Sequence, residues 1–162
     1  VALNAFNASI HQVIDQLKPI ADVFFDCLQQ EATCIAKGSA IELEEVANNK
    51  QQLSQQLEQA SKECNHLLSQ HQCDLQALLN GSDAIVNRLD QPTKQALSAL
   101  NDKLTASFEL NQANGIAVQT LSKINRFTLN LITGQNPSVK LYGAKGTTEK
   151  PHRNSGAKLG EA

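Results

Sequence analysis

A heptad constrains this chain more than any other feature. Leu43, Val46, Lys50, Leu53, Leu57, Ala60, Cys64, Leu67 and His71 follow one another at alternating steps of three and four. Residues at that spacing lie on one stripe of an α-helix, and only Lys50 and His71 break its apolar character. The stripe predicts a helix of about 36–40 residues, which would be about 55–60 Å long. A single-sided stripe of that length has to be covered by another long helix.

Two other segments have the required pattern. In residues 2–36, Leu3, Phe6, Ile10, Val13, Ile14 and Leu17 recur at helical steps, and Val23, Phe24, Cys27, Leu28, Thr33 and Ile35 continue the stripe. Pro19 should bend this helix or begin a second piece, because it donates no hydrogen bond to the preceding turn. Gly38 suits the left-handed position that closes a helix. Ser39-Ala40-Ile41-Glu42 reads as a capping box opening the next one. Asn80-Gly81-Ser82-Asp83 reads as a turn leading into a short helix over residues 83–89. A third long helix is expected over 92–132, with Pro92 as its first residue. Its stripe runs through Leu97, Leu100, Leu104 and Phe108, then Leu110, Ala113, Ala117, Leu121, Ile124, Phe127 and Leu131. The stripe shifts near residue 110, so the helix either turns its buried face or kinks there.

The expected fold is therefore all-α. It is an elongated antiparallel bundle of three long helices with coiled-coil character, covering residues 1–137 and followed by a flexible tail, 138–162. Composition agrees: aromatic residues make up 4% of the chain and Trp is absent, so large anchors for a compact enzyme core are few. Charge narrows the function. Residues 1–132 carry 9 basic and 14 acidic side chains, and the remainder 5 and 2. An acidic body argues against nucleic acid as a partner. No apolar run reaches the length of a membrane span and no signal-peptide pattern is visible, so a cytoplasmic protein without membrane insertion is expected.

No catalytic arrangement emerges. Cys64, His66, His71 and Cys73 crowd into ten residues, but on a helix Cys64 and His71 face one way and His66 and Cys73 the other. Four ligands on opposite faces cannot close on one tetrahedral ion, so neither a metal nor a cofactor is expected. The cysteines read as reduced, half-buried thiols. His11, His66 and His71 lack the neighbours of a phosphate-accepting histidine. The glycines of 134–160 follow no strand and form no phosphate cradle.

Two features remain. Leu110-Asn111-Gln112-Ala113-Asn114-Gly115 puts two asparagines on one face of the third helix, with a glycine that costs about 1 kcal/mol there. It is either a polar layer fixing helix register or a place where another backbone comes close. In Lys140-Leu141-Tyr142-Gly143-Ala144-Lys145-Gly146, the single tyrosine sits beside a leucine in an otherwise polar tail. It is either a docking anchor or a segment folded back on the bundle.

Together these motifs resemble the FlgN family of flagellar export chaperones. Glu31 and the stretch from Glu44 to Leu53 look like that family's acidic-to-lysine region. Asn111 to Gly115 matches its Asn-x-x-Asn-Gly signature. Leu131-Ile132-Thr133-Gly134, followed by Tyr142-Gly143 and Gly146, matches its ending. The resemblance spans about residues 3–147. An aromatic residue frequent in the family near the start of the third helix is replaced here by Leu97 and Leu100.

The resemblance implies a non-enzymatic type III export chaperone. It would hold hook-associated (hook–filament junction) proteins by their helical C-terminal segments and deliver them to the cytoplasmic domain of an export-gate membrane protein. It further implies a client-binding face of Asn111, Asn114, Gly115, Val118, Leu121, Ile124, Phe127, Leu131 and Ile132, and a gate-docking segment of Leu141, Tyr142, Gly143 and Gly146. The competing expectation from the residues alone is a coiled-coil scaffold acting as a homodimer through the heptads of 43–71. A helical phosphotransfer enzyme is a third, without the context of an active site.

Overall fold

The computed structural model describes residues 2–81 and 83–133. The chain divides into two compact units, Val1–Thr120 and Leu121–Ala162, and of the second the described residues are 121–133. Among the described residues five helices follow in order: α1 (Ala2–Lys37), α2 (Ala40–Ser69), α3 (Leu75–Leu79), α4 (Asp83–Val86) and α5 (Gln91–Ile132). No strand occurs among the described residues. The fold is an all-α bundle of three long helices joined by short connections.

Within the first unit α1 and α2 are antiparallel and pair most closely. The buried side chains between them include Ala21, Ala60 and Cys64, whose small size lets two backbones approach. The heptad lies where expected: Val46, Ala60 and Cys64 are buried, and Leu43, Leu53, Leu57 and Leu67 half-buried. The main core gathers Phe6, Ile10, Val13, Ile14 and Leu17 of α1 with Leu68, Leu75, Leu78, Leu89, Leu97 and Leu100. A smaller cluster of Cys27, Cys34 and Val46, with Leu43 and Leu53 packed on it, closes the hairpin end of α1 and α2.

Helix α1 runs unbroken through Pro19. The proline is exposed, so its missing hydrogen bond falls on the solvent side, where helical bonds are already the weakest. Beyond it Val23 and Thr33 point outward, and Leu28, Glu31 and Cys34 take the buried positions. Gly38, at φ +70°, ends α1 in a Schellman turn: its N–H donates to Ile35 O (3.2 Å), and Ser39 N–H donates to Cys34 O (3.2 Å). The capping box does not form, because this turn already uses the Ser39 amide. Ser39 makes no side-chain cap bond, and the Glu42 carboxylate instead accepts from Cys34 Sγ at 3.8 Å.

Helix α2 stops at Ser69, short of the expected length. The same Schellman geometry recurs there, with Gln72 N–H donating to Ser69 O (3.1 Å), Cys73 N–H donating to Leu68 O (3.3 Å), and Gln72 at φ +55°. Asp74 then caps α3 by accepting from Ala77 N–H, while Asn65 Oδ1 of α2 accepts from Leu75 N–H. The single short helix expected over 83–89 is smaller, ending at Val86, and α3 was not foreseen. Helix α5 starts one residue early: Asp90 is the cap, Gln91 the first turn, and Pro92 follows. It continues through Gly115 without interruption. Residues 134–162, including the expected tail, lie outside the described residues.

Candidate functional site

Helix α5 is held to α1 by polar contacts at three levels. At its start, Asp90 N–H donates to Asn7 Oδ1 (3.1 Å), and the fully buried Thr93 hydroxyl lies 2.9 Å from His11 Nε2. In the middle, Lys103 Nζ sits 3.6 Å from Asp22 Oδ1 and 4.6 Å from the ring centre of Phe25. The upper level is the most buried. Asn114 Nδ2 donates to Leu28 O and to Glu31 Oε2, both at 2.9 Å. Lys50 of α2 pairs with the other oxygen of Glu31 and reaches Asn111 Oδ1 at 3.4 Å. Glu31 and Asn114 are each 4% exposed. One carboxylate thus ties together all three long helices. This is the polar layer that the asparagines suggested, and it fixes register because a shift of either partner helix would strand a buried charge.

The layer explains one interruption of the heptad, Lys50, and contacts to α1 account for the other, His71, which lies just past the end of α2. Lys50 sits on the seam because Glu31 occupies the facing position. His71 lies 2.9 Å from Ser9 Oγ and meets Phe6 edge-on, with ring centres 5.3 Å apart. Glu31 and Lys50 were not among the site residues expected from sequence. The readable signal was a lysine on an apolar stripe, which asks for a carboxylate on the stripe opposite.

The residues expected to face a client fall into distinct settings. Asn114 is buried, with its amide bound inside the bundle. Asn111 is exposed beside Lys50, and Val118 is half-buried. Gly115 is exposed, and a Cβ placed on it would meet nothing within 4 Å, so no other backbone approaches there. Leu121, Ile124, Phe127, Leu131 and Ile132 form an uncovered apolar strip, with exposures of 39%, 54%, 52%, 56% and 77%. Leu129, at 60%, is also exposed, beside the strip. Leu141, Tyr142, Gly143 and Gly146 lie outside the described residues.

The remaining chemistry is quiet. All four cysteines are free and buried. Burial pushes the thiols of Cys27, Cys64 and Cys73 up from their ordinary range, leaving them protonated and poorly nucleophilic at neutral pH. Among the described residues no group of three or more His, Cys, Asp or Glu side chains could hold a metal ion. None of the described helices is long and apolar enough to cross a membrane.

Helix α5 is tied to α1 and α2 as far as Asn114, and large apolar side chains are exposed from Leu121 on. The chain belongs to the FlgN family: residues 7–150 match the family described as FlgN protein. No curated protein and no solved structure matches it. Membership carries the role of a flagellar export chaperone, in a family of chaperones rather than enzymes, and it implies binding to flagellar hook-associated proteins.

Proposed function

We propose that the protein binds the helical C-terminal segments of hook-associated (hook–filament junction) proteins in the cytoplasm, prevents their premature assembly, and delivers them to the export gate. The observation that carries this reading is the uncovered strip from Leu121 to Ile132. Its leucine, isoleucine and phenylalanine side chains recur at helical spacing, so an amphipathic client helix can lay its own apolar face along them. The client's apolar face, otherwise free to self-associate, is then covered. Ordering the client segment costs free energy, which holds the affinity at a level compatible with release. Binding of this kind makes and breaks no covalent bond, and the protein acts without catalytic residues or a cofactor.

We assign the chain two parts, a helical chaperone domain over 1–137 and a docking tail over 138–162. In the tail Leu141 and Tyr142, with Gly143 and Gly146, would engage the cytoplasmic domain of an export-gate protein. Tyr142→Ala should leave client binding unchanged and abolish capture by the gate domain. Loss of both would place Tyr142 in the client site instead.

The heptad seam of α2 lies against α1 of the same chain, which leaves a dimeric scaffold little of the surface it would use. Co-purification with a junction protein tests the reading. A 1:1 complex should form and be lost in Leu121→Asp and Phe127→Asp. A stable homodimer indifferent to both changes would overturn it.

A further inference from the structure

The strip shares its compact unit, Leu121–Ala162, with the rest of the chain. Helix α5 ends at Ile132, and Thr133 N–H donates to Leu129 O at 2.9 Å, the last such bond among the described residues. Gly134 comes next, the residue type that most readily closes a helix, and Pro137 cannot carry one on. After that stop the large apolar residues are Val139, Leu141, Tyr142 and, far beyond them, Leu159. In an extended run of Ser138-Val139-Lys140-Leu141-Tyr142, Val139 and Leu141 share one side, and Ser138, Lys140 and Tyr142 the other. The lengths agree. From Leu121 to Ile132 the strip is about 17 Å long, and an extended run of five residues spans about 16 Å. From Thr133 the chain can carry Leu141 at most about 28 Å, enough for a reversal over 134–137 and a return along the helix.

We infer that the segment 138–142 lies back along this strip when no client is bound, with Val139 and Leu141 seated on its apolar side chains. The inference rests on the docking function proposed above and adds what the strip holds before a client arrives. A tether favours this occupant over a second copy. A segment only a few residues from its target is present at an effective concentration of about millimolar, higher than a free second copy reaches. Two aliphatic side chains make a small contact, which a client helix with an apolar face of several turns displaces. Tyr142 faces away from the strip in this arrangement and stays available for the docking role assigned to it. The cover keeps the strip from the association that bare apolar residues invite. Client affinity is then set by the difference between the two occupants.

The test uses the full chain, a synthetic amphipathic helix with one leucine face, and a dye whose emission rises on bare apolar surface. Val139→Asp/Leu141→Asp should bind the helix about three- to ten-fold more tightly than the wild type, as expected when roughly two-thirds to nine-tenths of the strips are covered. Dye emission should rise in the same variant at an unchanged melting temperature. Tyr142→Ala should match the wild type in both readings. Equal affinity and equal emission in the double variant and the wild type would overturn the cover while leaving the docking function standing. Weaker binding in the double variant would also overturn it, by placing the segment in the client site. A helix bound by neither protein would overturn the docking function itself, and a rise in emission would still support the cover. A dimer seen in sedimentation and lost in the double variant would move the segment onto a second copy and overturn the tethered contact.

Discussion

Asn114 shows how much one side chain decides here. Its amide closes a network in which the Glu31 carboxylate is met from α5 on one oxygen and from Lys50 on the other. Replacing it with leucine keeps the branching and the number of heavy atoms but leaves Glu31 Oε2 without that donor, a loss of about 1–3 kcal/mol readable by denaturant unfolding. Asn114→Asp should cost more at neutral pH, because two carboxylates would meet at the 2.9 Å now bridged by the amide, and it should recover part of that loss in acid. An unchanged midpoint in both variants would show that the layer does not hold α5. Asp90 offers a second test. The hydroxyl and backbone N–H of Thr93 hold its carboxyl below the ordinary range, with the nearby His11 adding a smaller pull. A lowered folded value means that the stabilisation is complete above about pH 4 and fades as pH falls through that folded value. Asp90→Asn keeps a cap acceptor that does not titrate. Its melting temperature should therefore fall less steeply in acid than that of the wild type, and parallel pH profiles would contradict the assignment.

At the scale of elements, α5 behaves as two stretches with different duties. Up to Ser107 and Asn114 it presents buried residues to the bundle, while from Leu121 on nearly every side chain is exposed. Leu100→Ala should cost about 2–5 kcal/mol, as expected for a leucine 1% exposed. Leu121→Asp should leave stability within about 0.5 kcal/mol. Comparable losses in the two variants, measured by thermal unfolding, would contradict this division. The three long helices were legible because each carries a stripe many turns long, and the bare strip was legible because its leucines and phenylalanine keep helical spacing past the Asn-Gly step. Other features were hidden for local reasons. The stop of α2 is made by Gln72 in a left-handed conformation, where sequence reading looks for glycine. The unformed capping box reflects a preceding turn that had already engaged Ser39. Phe108 reads as core by its spacing yet is 68% exposed, because the buried face of α5 has by then turned toward Ser107 and Asn114. The Glu31–Lys50 pair needed two helices to be aligned before either charge made sense.

For the molecule as a whole, α5 is held both by the apolar core, through Leu97 and Leu100, and by buried polar contacts that fix its register. A chain with 4% aromatic residues gains specificity from buried hydrogen bonds that tolerate only one register. The exposed strip runs against ordinary surface economy, since bare large apolar side chains invite association. On the proposed function, a client helix covers them. The central claim is that this strip, and no other part of the chain, receives the client helix. Amide hydrogen exchange on the full chain, alone and saturated with a junction protein's C-terminal helix, tests it most directly. Protection should rise across residues 121–132 and stay unchanged over the Phe6–Leu17 core of α1; protection gained elsewhere, with 121–132 exchanging as before, would contradict the account.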